Sequence, residues 1–245
     1  MKTVVLVVLF YAVAASFIST VVHEFGHVLS GLMNGWKFLM MVIGPFKLYR
    51  DDPDGKILFG IEKNPALWGG CGGTMPKRID DSVTEVFARI LIAGPLASLV
   101  LGTAGMAAFF LTKHEFLLML GMVSLGQGLV CILPMKIKTG ILYNDGTRFL
   151  RIRRKGKEAE EEKVLIESIF AEVIGDAETK KAREDHLIEV LLDSDDASYR
   201  YYGFYYAYMR AKEDGDEAEM ERVKAGAEKN RDGVSRYVLD SCDMS

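Results

Sequence analysis

Several features that often declare a function are scarce in this chain. It holds three cysteines, Cys71, Cys131 and Cys242. An odd, widely spaced set is no disulfide framework, and it suits a chain whose soluble parts face a reducing compartment. Positive charge is not in excess: the net charge is −4, which gives no footing for nucleic acid as a partner. Histidine occurs only four times in 245 residues. That length suits one or two compact units and excludes a large multidomain enzyme. Finally, three long stretches contain no charge at all.

Those stretches are Thr3 to Val22, Ile90 to Thr112 and Phe116 to Met135. Each matches the roughly 20 apolar residues that a membrane-spanning helix needs. They predict a membrane all-α bundle with three core transmembrane helices over about 3–33, 86–112 and 116–135. Lys2, the apolar run and "AVAAS" also have the look of a secretory signal peptide. The run continues past that cut to Val22, however, so an uncleaved first helix is expected. Lysine and arginine crowd the segment after the first span and the segment after the third, while the link between the second and third has only Lys113. Positive charge marks the cytoplasmic side. The N-terminus is therefore expected outside, with the long loop and the tail in the cytoplasm.

Between the first two spans, "KFLMMVIGPFKLYRDDPDGKILFGIE" predicts a cytoplasmic β-hairpin over about 37–62, turning at "DDPDG". "WGGCGGTMP" follows, too glycine-rich to predict regular structure, and "DDSVTEVFARI" starts a helix with Asp81 or Ser82 as the N-cap. Small residues on the later spans, among them Gly94, Ser98, Gly102, Gly121 and Gly128, read as packing seams. Beyond residue 150 the composition turns charged and helical. Residues 1–150 therefore form the membrane domain, and 151–245 a small soluble helical domain. In that domain two helices joined at "DGD" are similar to one unit of a helical-hairpin repeat. It is also a place for a cytoplasmic partner or a ligand.

The first span ends in "HEFGH". On a helix, positions four apart share a face, so His23 and His27 can hold one ion between them, with Glu24 near enough to reach a water on it. Ser16, Thr20, His23, His27 and Ser30 make a polar stripe predicted to face the bundle interior. Ionisable groups at membrane depth are functional candidates. A catalytic zinc takes three protein ligands and keeps one position open. His114 is expected at the outer face and His186 on the tail, far from the pair. Asp145, just after the third span, is the remaining candidate, although "NDG" is equally a plain turn.

Three stretches together carry a family resemblance: "HEFGH", "AGPLAS" in the second span, and "LP" followed by "NDG" after the third. Over residues 1–150 the chain resembles the site-2 proteases, intramembrane zinc metalloproteases; the resemblance does not cover the tail. The resemblance implies one Zn2+ held by His23, His27 and Asp145, with Glu24 as general base. It places Gly94, Pro95, Cys131, Pro134 and Asn144 near substrate. Two departures stand out: Cys131 occupies a position where the family often has Asn, and the gap from Pro134 to Asp145 is long. The implied activity is hydrolysis of a peptide bond in or next to the transmembrane segment of a membrane-anchored, regulatory protein. The compact core and short loops look bacterial, giving a multi-pass protein of a bacterial cell membrane surrounded by lipid. The alternative is a catalytically silent relative that binds transmembrane segments as a regulator.

Overall fold

The computed structural model describes residues 2–52, 54–135, 138–139, 142–175, 177–242 and 244. Two compact units emerge, Met1–Met135 with Asn144–Phe149, and Lys136–Tyr143 with Leu150–Ser245.

The first unit is built on α1 (Lys2–Met33), α2 (Val83–Thr112) and α3 (Glu115–Ile132). All three are long and apolar enough to cross a membrane. Their outward faces are apolar, as Val4, Leu9, Phe10, Val100, Leu111 and Met122 illustrate; lipid suits such a surface and water does not. The inward line of α1 differs from the predicted stripe. Ser16 is exposed, and the buried line runs Ala15, Ser19, His23, His27 and Gly31. A strict spacing of four keeps these positions on one ridge. Ser19 Oγ donates to Gln127 Oε1 of α3 at 2.6 Å, tying two helices across the interior.

Between α1 and α2 lies a four-stranded antiparallel sheet, not a lone hairpin. Its strands are β1 (Lys37–Ile43), β2 (Phe46–Tyr49), β3 (Leu58–Ile61) and β4 (Cys71–Met75), in the order β3-β2-β1-β4. The first apolar run is itself two strands, because Gly44 turns the chain with φ +54° ahead of Pro45. "DDPDG" then connects β2 to β3, which pair from Phe46↔Ile61 to Tyr49↔Leu58. The glycine-rich segment predicted to be irregular contributes β4, paired with β1 from Lys37↔Met75 to Val42↔Cys71. The N-cap position of α2 is Ser82, but its side chain makes no capping bond. Instead the Ser82 hydroxyl donates to Asp80 at 2.6 Å.

The chain leaves α3 through Leu133 and Pro134. Lys138–Thr139 (β5) and Leu142–Tyr143 (β6) form a short antiparallel ladder, and α4 (Asp145–Arg153) follows. The second unit continues through α5 (Lys157–Ile174), α6 (Ala177–Leu192), α7 (Ala197–Asp214), α8 (Glu217–Lys229) and α9 (Arg236–Ser241). The α7–α8 joint falls at "DGD": Gly215 takes φ +71°, and Asp216 caps α8 by accepting from the Glu219 N–H. One core gathers Val164, Leu165, Leu187, Leu191 and Tyr199; another gathers Tyr201, Tyr208, Val223, Ala227 and Val238. Arg151 is buried between Glu161 (2.5 Å) and Glu162 (2.9 Å), and Tyr199 donates to Glu162 as well.

Candidate functional site

His23, Glu24 and His27 are all buried, with 3%, 7% and 7% of their surface exposed. Local sequence puts them on one turn of α1, and α2 fixes both rings. His27 Nδ1 lies 2.7 Å from the Ile90 carbonyl oxygen. A carbonyl only accepts, so Nδ1 carries the proton and the Nε2 lone pair of the neutral ring points into the site. His23 Nδ1 is 2.9 Å from Ser98 Oγ. Ile90, Gly94 and Ser98 follow one another at a spacing of four along α2. Gly94 is the floor beneath the His27 ring: a Cβ there would stand 2.5 Å from ring atom Cε1. Pro95, next to it, is buried inside α2, where it leaves the Leu91 carbonyl without its helical N–H. These contacts account for "AGPLAS" as a bed for the histidines.

The opposite wall comes from "NDG". A helix leaves its last carbonyls without intrahelical partners, and Asn144 supplies partners at the end of α3. Its amide Nδ2 reaches the carbonyl oxygens of Val130 (2.9 Å), Cys131 (3.3 Å) and Leu133 (2.8 Å). Asn144 Oδ1 meanwhile accepts from the Thr147 hydroxyl at 2.5 Å. Gly146 packs against the Ile132 carbonyl so closely that no Cβ fits. With its neighbours pinned, Asp145 is held over the histidine pair.

The donor atoms form a triangle. The two Nε2 atoms are 3.2 Å apart, and Asp145 Oδ2 is 3.4 Å from His23 Nε2 and 3.5 Å from His27 Nε2. Tetrahedral donors around one zinc, at bond lengths near 2.0–2.1 Å, lie about 3.3–3.4 Å apart. The triangle matches that edge, and its second-atom contacts are of the kind that orient metal-binding imidazoles. The residues present fit a zinc ion.

Glu24 lies beside this triangle under β4, where a Cβ added at Gly72 would stand 3.1 Å from its Oε2. A Cβ on Gly72 would come 2.6 Å from the Glu24 carbonyl oxygen. Gly72 therefore serves close approach of β4 to α1, while Gly73 faces Met40 of β1. The ligand-type atoms of Cys131, His23 and Asp145 all lie within 4.8 Å of one another. Pro134 is exposed. His114 caps α3 by accepting from the Phe116 N–H, and His186 pairs with Glu160 in the second unit; neither joins the cluster. Sequence reasoning missed the Ile90 carbonyl and Gln127. It noted Ser98 only as part of a packing seam, although a hydroxyl among small residues was the available signal.

Two histidines at i and i+4, a glutamate between them and a helix of membrane-spanning length describe a class of proteins, the membrane-embedded metallohydrolases. The chain belongs to peptidase family M50, whose family model matches residues 11–227. That match runs well past residue 150 and so includes most of the tail, which the sequence motifs left outside the resemblance because the tail carries no metal-ligand pattern. The family is zinc-dependent in general and makes this a protein of the protease kind. No curated protein and no solved structure matches the chain.

Proposed function

We propose that the protein is an intramembrane zinc endopeptidase that cuts a membrane-anchored, regulatory protein within or next to its spanning segment. The triangle of His23, His27 and Asp145, with each imidazole tied at its second nitrogen, is the observation that carries this reading. His23, His27 and Asp145 would hold the ion. When bound, zinc polarises the scissile carbonyl and lowers the pKa of its water toward ~7. Glu24 takes the proton of the attacking water and returns it to the leaving amine, while the close approach of Gly72 confines its carboxylate.

A substrate helix hides its amides in hydrogen bonds and must be extended before cleavage. Among the described residues the edge strands of the sheet are β3 and β4. β4 runs beside Glu24, so we assign it, and not the hairpin over 38–61, the role of pairing with extended substrate. N-methylation of the substrate amides flanking the cut should stop cleavage; undiminished cleavage would remove this role. Gly94, Pro95 and Asn144 are spoken for by packing, which leaves Cys131 and Pro134 to face substrate. The positive charge of the loops supports an N-terminus outside, a site toward the cytoplasm and a cytoplasmic tail. In the tail, a cavity of about 330 Å³ lined by Leu165, Ser168, Leu187, Tyr202 and Tyr206 is the place for a ligand.

The deciding experiment measures zinc and proteolysis together in the detergent-purified full chain. Wild type should carry one zinc per chain, Asp145→Ala should hold it weakly, and Glu24→Gln should keep zinc but cut nothing. The replacement of Asn by Cys131 favours the second reading, a silent binding protein. Under that reading Glu24→Gln would leave the protein's effect on its membrane partner intact.

A further inference from the structure

Cys131 ends α3 at a place where the clamp by Asn144 fixes the backbone. Its carbonyl oxygen is 3.3 Å from Asn144 Nδ2, and the Val130 and Leu133 carbonyls on either side are held by the same amide. Asp145 follows Asn144 directly, so the thiol and the carboxylate belong to one rigid piece. Sγ of Cys131 lies within 4.8 Å of a donor atom of His23 and of one of Asp145. A zinc with Zn–S near 2.3 Å and Zn–N near 2.0–2.1 Å separates sulfur from nitrogen by about 3.5 Å. A side-chain adjustment of about an ångström therefore brings the sulfur into the first coordination sphere. Sulfur is also the softest donor within reach, and zinc takes thiolate readily.

We propose that Cys131 is a fourth, displaceable zinc ligand that closes the resting site. This rests on the reading of the triangle as a zinc centre and goes beyond it. Four protein ligands make a site of the structural type, with no position left for water, whereas hydrolysis needs that position open. The protein would thus be latent at rest and active only when Cys131 is displaced, and extended substrate entering beside α3 is the natural agent. Departure from Asn at this position would then be a device for control.

The test is the absorption spectrum of the full chain in detergent with cobalt in place of zinc, together with cobalt content. Expected are one cobalt per chain and a thiolate-to-cobalt charge-transfer band. Cys131→Ser should lose the band while retaining cobalt, and Cys71→Ser should keep both. Bound cobalt with no such band in wild type would overturn the fourth ligand and leave the three-ligand centre standing. Wild type that binds no cobalt, or binds it equally after Asp145→Ala, would overturn both. A second measurement needs no variant: Cys131 should be alkylated in chelator-stripped protein and spared in metal-loaded protein. Equal labelling in the two states would also overturn the proposal.

Discussion

Removal of the Asn144 amide tests how Asp145 is held. In Asn144→Ala the Val130 and Leu133 carbonyls lose donors at 2.9 and 2.8 Å, and Thr147 loses the Oδ1 that accepts from its backbone N–H and hydroxyl, the hydroxyl keeping the Met135 carbonyl at 2.7 Å. An amide nitrogen has two protons, so of its three carbonyl contacts two count as full bonds. Two donated bonds and one accepted bond, at about 1 kcal/mol each, amount to ~2–4 kcal/mol. Part of this relaxes locally. The part that reaches the metal should weaken zinc binding by about 10–100-fold, the usual effect of losing a group that orients a ligand. Asn144→Asp is the sharper variant: it keeps the acceptor for Thr147 but sets an anionic oxygen against carbonyl oxygens, and should weaken zinc at least as much. Competition with a chromophoric chelator measures the affinity, and far-ultraviolet circular dichroism checks that the helices persist. Zinc affinity within about twofold of wild type in both variants, a difference of under ~0.5 kcal/mol, would refute the claim that Asn144 places Asp145.

Gly94→Ala should lose zinc because the new Cβ meets the His27 ring, while Gly126→Ala, with nothing within 4 Å of its added Cβ, should bind as wild type does; equal metal content in the two would count against the packing argument. Arg151→Met should destabilise the second unit by ~3–5 kcal/mol, since it removes the guanidinium that faces Glu161 and Glu162, which are 3% and 0% exposed. Its readout is earlier thermal exposure of buried Cys242 to a thiol reagent, and an unchanged labelling temperature would contradict it. Burial pushes the Cys71 thiol up to about 11, so its alkylation at neutral pH should be far slower than that of an exposed thiol and should rise steeply as pH approaches that value. Alkylation of Cys71 at the rate of a free thiol would show that its side chain is not buried.

The histidine pair was legible because its signal is local: four residues make one helical turn, and nothing distant is needed to see that both rings share a face. What holds the rings was not. The Ile90 partner is a backbone carbonyl, which any residue supplies, so side-chain identity says nothing about it. Ser98 was visible but ambiguous, since a hydroxyl among small residues serves packing equally well. β4 was lost for a different reason. Glycine lowers strand propensity, and "GGCGG" scores poorly on that ground, yet here the missing side chains of Gly70 and Gly72 let the chain lie on α1 over Glu24. Sequence rules weigh what glycine costs the chain and not what approaches it. The polar stripe erred by one position at Ser16, because spacings of three and four both fit a helix until neighbours choose between them. The packing of α1 chose the line through Ala15 and Ser19.

"Asn-Asp-Gly" then acquires a meaning that a turn motif does not have. Asn144 looks back to the carbonyls that α3 leaves unpaired, Asp145 looks toward the histidines, and Gly146 has no side chain because the Ile132 carbonyl occupies its place. The end of a transmembrane-length helix is normally a liability, with orphan acceptors in a poorly hydrated setting. Here those acceptors are the anchor for a ligand that arrives from further along the chain. The long gap between Pro134 and Asp145 follows from the same device. Between Met135 and Asn144 the chain belongs to the second unit, and its length does not set where Asp145 sits, because Asn144 docks on α3 whatever path the chain has taken. Register between the third ligand and the histidines is fixed at the point of return, so the intervening segment is free to lengthen without moving the site.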